Sequence, residues 1–191
     1  MEPSASVEPI GIPLEDVRTD IRDFDRIVHL YWPSLFRYLF ASLRDRDAAE
    51  NLTQECFLRA YQNRERFRGE APVKTWLMKI AVNLIRDRAR NRRIQFWNRT
   101  QVFSVDAYEA VDRLVHPERT PEAQALLNEQ IKAVWGITDR LPDRQRAVFL
   151  LRFVEEMDLA EIAEVLGTTE GTVKKHLFRA VQAIRNGMRT K

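Results

Sequence analysis

At 191 residues the chain is long enough for one ordinary domain or two small ones, and two small helical cores would each sit near the lower size limit. Hydrophobic residues at 45% and charged residues at 31% exclude a disordered chain and describe a globular protein with a heavily charged exterior. No apolar run approaches the roughly 20 residues of a membrane span, and Met1 to Ile12 lacks a signal core, so a cytoplasmic protein without membrane insertion is expected. The lone Cys56 excludes an internal disulfide and any cysteine cluster for zinc.

Residues 1–19 carry Pro3, Pro9, Gly11 and Pro13 without apolar period and read as a flexible tail. From Phe24, apolar residues Ile27, Val28, Tyr31, Leu35, Leu39 and Leu43 recur at three- and four-residue steps on one helical stripe, and Pro33 predicts a kink or break within it. A second helix is expected from about Ala48 to Arg66, burying Leu52, Phe57, Leu58 and Tyr61. Gly69 and Pro72 mark a loop, and a third helix starts near Lys74, turning Trp76, Leu77, Ile80, Ala81 and Leu84 inward. Its end is dense in arginine from Arg86 to Arg99, so the modest net charge of +3 is unevenly placed. Phe96 and Trp97 close that run and either pack the linker or contact DNA.

Asn98 to Glu122 has weak periodicity and holds His116-Pro117 and Thr120-Pro121, which disfavour helix at the preceding residue. The spacing therefore predicts a linker over 98–124. Four more helices are expected: Ala125 to Arg140, Pro142 to Phe153, Leu159 to Leu166 and Thr172 to about Met188. With no strand-like alternation, the fold class is all-α, two small helical domains joined by a linker, at 20–97 and 125–191.

The most specific pattern runs from Asp158 to Leu177. Asp158 can cap a helix while Glu161, three residues on, reaches back to the cap. Ala163 is small where a second helix must cross closely, and Gly167 suits a left-handed turn. Val173 and Leu177 then face the core. This spacing describes a helix-turn-helix, whose second helix enters the DNA major groove. Thr169, Glu170, Gly171, Thr172, Lys174, Lys175, His176 and Arg179 lie on or near its groove-facing surface, where cations meet phosphates or guanine and hydroxyls read bases. The bland alternative is an amphipathic hairpin with a solvated outer face.

Two further segments, Asp47 to Tyr61 and Trp76 to Arg90, together with Leu141 to Phe149 and the helix-turn-helix, resemble the sigma factors of bacterial RNA polymerase, in particular the extracytoplasmic-function group. The resemblance implies a polymerase-binding helix, a helix for the minus-ten promoter element and a reader of the minus-thirty-five element, in that order. Asp47, Glu50, Gln54 and Glu55 supply a polar, acidic face for docking on core polymerase; Asn51 stands where the family commonly has an acidic residue. A solvated helix face is the plainer account of the same residues. Trp76, Asn83, Arg86, Asp87 and Arg90 would serve the minus-ten strand, since aromatics beside basic groups suit unpaired bases. For Trp76 alone, core filling is the commoner role, and the loop from Phe67 to Val73 is the better pocket for an extruded base.

The expected function is an alternative sigma factor that binds core polymerase and promoter DNA, promotes initiation and is no enzyme; the resemblance also implies an anti-sigma partner. No catalytic residue and no cofactor is expected. No glycine loop follows a strand, and His29, His116 and His176 lack ligand-spaced neighbours, so no metal site is expected. The alternative is a stand-alone helix-turn-helix regulator, recognisable by duplex binding without a polymerase complex. A nuclease would need a carboxylate cluster that nothing in the sequence orders.

Overall fold

The computed structural model describes residues 21, 23–95 and 131–189, and among these every regular element is helical. Asp23 opens α1 (Phe24–Leu43) by accepting a hydrogen bond from the Arg26 amide at 3.2 Å, and Asp45 opens α2 (Arg46–Asn63) by accepting from the Ala48 amide at 2.9 Å. Arg44 turns the chain between them with φ 56°, its amide closing on the Phe40 carbonyl. A 3-10 turn, Arg64–Arg66, ends α2, and α3 (Val73–Gln95) follows the expected loop. A second group comprises α4 (residues 131–138), α5 (Asp143–Phe153), α6 (Leu159–Leu166) and α7 (Glu170–Arg189). The tail expected over 1–19, the linker expected over 98–124, and Phe96 and Trp97 lie outside the described residues.

Two expectations need correction. Pro33 does not break α1, which runs through it. Proline removes the bond to the carbonyl four residues back, here that of His29; both His29 and Pro33 are exposed, so water can satisfy that carbonyl while Tyr31 and Leu35 stay buried on the opposite side. Leu58 and Tyr61 are not core residues: they are 52% and 47% exposed. The inner stripe of α2 is instead Ala49, Thr53, Cys56, Phe57 and Ala60, mostly small side chains that let neighbouring helices approach. Thr53 satisfies its hydroxyl on the Ala49 carbonyl at 2.7 Å, and Cys56 donates to the Leu77 carbonyl at 3.4 Å.

α1, α2 and α3 pack mutually, as do α5, α6 and α7, and the groups also meet each other through α3 on α6 and α1 on α5. One continuous apolar cluster results, from Ile27, Leu35, Leu39 and Leu77 to Leu150, Leu151, Ile162 and Val173. Full burial of each such side chain contributes roughly 1.5–3 kcal/mol. At the far end of α7, Gly187 approaches α4 so closely that a Cβ there would sit 2.7 Å from the Ile137 side chain.

A fully buried carboxylate lies where the groups meet. Val154 ends α5, Glu156 takes a left-handed φ of 56°, and between them Glu155 projects into the first group. There it accepts from the Ser34 hydroxyl, from Arg37 Nε at 2.9 Å and from Arg37 Nη2 at 3.1 Å. Lys74 donates to the Glu155 backbone carbonyl at 2.8 Å, with its ammonium 3.8 Å from the carboxylate. A second bridge joins Arg44 to Asp139 at 3.3 Å, with the guanidinium 4.0 Å over the Trp135 ring.

Candidate nucleic-acid and partner interfaces

The helix-turn-helix is built as its spacing predicts. The Asp158 carboxylate accepts from the Glu161 amide at 2.8 Å, and the Glu161 carboxylate accepts from the Asp158 amide at 2.8 Å, a reciprocal cap that fixes the start of α6. Gly167 has φ 62° and ends the helix, with amide bonds back to Ala163 and Glu164. Ala163 and Val173 are buried, and Leu177 is half-buried against the core.

The Thr169 hydroxyl accepts from the Thr172 amide at 3.3 Å and meets the Thr172 hydroxyl at 3.0 Å, which caps α7. Glu170, Gly171, Lys174, Lys175 and Arg179 are exposed on α7, while Thr172 and His176 lie half-buried on its flank. Glu170 pairs with Lys174 at 3.6 Å. Partial burial lowers the His176 pKa, and Arg144, Arg179 and Lys175 push it the same way, so the imidazole is neutral near pH 7. Positive charge on this face therefore comes from Lys174, Lys175 and Arg179.

On α3, Asn83, Arg86, Asp87 and Arg90 stand at i, i+3, i+4 and i+7 and share one face. Asp87 pairs with Arg90 at 3.3 Å and approaches Arg59 of α2 at 4.0 Å, so its carboxylate orients two cations. Trp76, two turns before Asn83, joins it in lining a cavity of about 330 Å³ with Ile80, Arg59, Asn63 and Arg66. Trp76 packs on Phe67 with ring centroids 4.8 Å apart, which ties the loop after the 3-10 turn to the cavity wall. An open pocket with one aromatic wall, two amides and two guanidinium groups offers stacking, hydrogen bonding and charge together.

On α2, Asp47, Asn51 and Gln54 are exposed, and Glu50 and Glu55 are half-buried beside Arg46 at 3.3 Å and Arg59 at 2.7 Å. The same face continues into Leu58 and Tyr61, so it is acidic at its start and apolar at its end. Arg64 lies 3.8 Å over the Tyr61 ring.

Residues 27–94 match the family described as Sigma-70 region 2, and residues 131–184 match Sigma-70, region 4. The chain is 30% identical over 166 residues to the ECF RNA polymerase sigma factor SigW of Bacillus subtilis, covering 87% of this chain and 89% of that one. The chain belongs to the extracytoplasmic-function sigma factors. It is also 31% identical over 172 residues to the RNA polymerase sigma-H factor of Pseudomonas aeruginosa, covering 87% of this chain and 86% of that one. Its fold is similar to that of the sigma factor RpoE solved in complex with the anti-sigma factor NepR from Bartonella quintana, with a TM-score of 0.66, 21% identity and coverage of 88% and 98%.

The region 2 match spans the acidic face of α2 and the cavity, and the region 4 match spans the helix-turn-helix. Sequence reasoning missed Arg59, Asn63 and Arg66 as cavity residues. Their spacing of four and then three residues was the available signal, since it sets a polar, basic stripe on the end of α2. Among the described residues no group of histidine, cysteine and acidic side chains is arranged to hold a metal, and no helix is long and apolar enough to cross a membrane.

Proposed function

We propose that this member of the family is an alternative sigma factor that docks on core RNA polymerase through α2, captures the minus-ten strand at the α3 cavity and reads the minus-thirty-five duplex with α7. Asp47, Glu50, Asn51, Gln54 and Glu55 face polymerase, with Leu58 and Tyr61 extending the contact. Trp76, Asn83, Arg86, Asp87 and Arg90 serve the melted strand, and Thr169, Glu170, Gly171, Thr172, Lys174, Lys175, His176 and Arg179 form the duplex surface. The observation that carries this reading is the cavity beside the arginine face of α3, because a single extruded base fits an aromatic-walled pocket next to backbone-tracking cations. Chemistry stays with the polymerase. An anti-sigma protein is the expected regulatory partner, as in the complex of the similar RpoE.

Purified chain added to sigma-free core polymerase should start transcription from a subset of a genomic promoter library. Duplex binding with no polymerase complex would instead indicate a stand-alone helix-turn-helix regulator. Trp76→Ala should weaken opening by the equivalent of about 1–3 kcal/mol for one lost stack while sparing polymerase binding; equal loss of both would assign Trp76 to the core.

A further inference from the structure

We propose that Phe178 reads DNA sequence: its ring packs on the 5-methyl group of a thymine in the major groove of the minus-thirty-five duplex and selects a T·A pair there. This deepens the promoter reading above and rests on it.

An aromatic ring of this size is ordinarily buried. Among the described residues Phe178 is the most exposed large apolar side chain, at 65%, and no other described ring stacks on it. Phe153, the next at 55%, packs on Phe149 with ring centroids 4.8 Å apart.

The position of Phe178 on α7 gives its exposure a direction. Gly171, Lys174, Lys175 and Phe178 stand at i, i+3, i+4 and i+7, so they share one face, opposite the side that buries Val173 and Ala180. All four are exposed, and Arg179 borders them. The one carboxylate at the start of this face, Glu170, is paired with Lys174 at 3.6 Å. The ring therefore sits within a cationic surface, and charge complementarity points to a polyanion rather than an apolar protein patch as its partner.

A duplex offers such a ring one apolar group to grip. Of the base edges in the major groove only thymine carries a methyl, and apolar side chains tell T from the other bases through it. Reach agrees with this. Phe178 lies eight residues after Glu170, the first residue of α7, or about 12 Å along the axis at 1.5 Å per residue, and the B-form major groove is about 12 Å wide. Helical side chains lean back toward the start of their helix, so the ring covers the turn of Lys174 and Lys175. Gly171 leaves the entry side of the face bare: a Cβ there would meet only Thr169 Oγ1, at 4.0 Å, so the backbone can approach the base edges and carry the ring down with it. Lysine contacts to phosphate fix where the helix lies but carry no sequence information. Phe178 supplies information that those cations cannot.

The test uses holoenzyme, the full chain on core polymerase, and a promoter library randomised over the minus-thirty-five segment. The unsubstituted chain should return duplexes with a fixed T·A pair, and Phe178→Ala should return all four bases at that pair. Helix content and polymerase pull-down should be unchanged, since most of the residue is already in solvent. On a selected duplex, replacing the fixed thymine by deoxyuridine removes only the methyl. That change should weaken binding about fourfold with Phe178 present and not at all with Phe178→Ala, while Phe178→Leu, still apolar, should keep part of the discrimination. A library without a fixed thymine, deoxyuridine bound as well as thymine, or a loss that persists in Phe178→Ala each overturns the contact. Loss of polymerase pull-down in Phe178→Ala with the methyl effect intact also overturns it, and assigns the ring to a protein partner. Holoenzyme that enriches no duplex at all shows that the promoter reading has failed, whereas enrichment without a thymine preference sinks the role of Phe178 alone.

Discussion

Gly167 and Glu156 have nearly the same backbone conformation, φ 62° and 56°, but opposite chemistry, and exchanging their types should move stability in opposite directions. The left-handed region costs a residue with a Cβ about 1–2 kcal/mol, while glycine loses about 0.4–1 kcal/mol more unfolded-state entropy on folding. A Cβ at Gly167 meets nothing within 4 Å, so Gly167→Ala carries only these two terms and should destabilise by about 0.8 kcal/mol at their midpoints, and by about 1.6 kcal/mol at most. Glu156 is exposed, so Glu156→Gly should stabilise by a similar amount. Because both helical groups share one apolar cluster, they should unfold together, and about 1 kcal/mol then corresponds to about 2–4 °C in Tm for a chain of this size. Calorimetry and urea midpoints on the two variants should show shifts of opposite sign. Shifts in the same direction would refute the assignment of the cost to backbone conformation, and two separate transitions would refute the shared core.

Cys56, whose thiol burial pushes up to about 12, should resist a disulfide-exchange reagent in the folded chain and react only on unfolding; stoichiometric labelling of native protein would contradict its burial. Lys174→Glu or Arg179→Glu should abolish binding to minus-thirty-five duplex while leaving polymerase pull-down intact, and loss of both would show the wrong helix was assigned to the groove. The depressed pKa of His176 means the unfolded chain takes up its proton first, so this residue's contribution is present above the ordinary imidazole range and lost as pH falls through it. Urea midpoints should therefore drop less between pH 7.5 and about 5.5 in His176→Gln than in the unsubstituted chain; identical slopes would remove His176 as a source of pH dependence.

The second group was legible nearly residue by residue, because Asp158, Glu161, Ala163 and Gly167 each answer a local geometric demand that adjacent sequence reveals. α1 was legible as a stripe but not as a continuous helix, since the cost of Pro33 depends on whether the freed carbonyl meets water. α2 misled for a different reason: hydrophobicity favoured Leu58 and Tyr61, whereas close helix contact selected Ala49, Thr53, Cys56 and Ala60. Their exposure instead extends a candidate docking face. The Arg59, Asn63, Arg66, Trp76 and Asn83 cavity joins two helices, and neither half announces it alone. Glu155 was the least legible residue of all. A glutamate after a helix reads as solvated surface, and only the packing of α1 and α3 against it turns it into an interior ion.

The near-collision between Gly187 and Ile137 ties together two positions half a hundred residues apart. A methyl group added at Gly187 would lie 2.7 Å from Ile137 Cδ1 and 2.9 Å from Cγ1, so Gly187→Ala requires the Ile137 side chain to shift, whereas pairing it with Ile137→Ala removes both atoms. The last turn of α7 thus sets how near α4 can lie, and a bulkier pairing would push the two helices apart at that end.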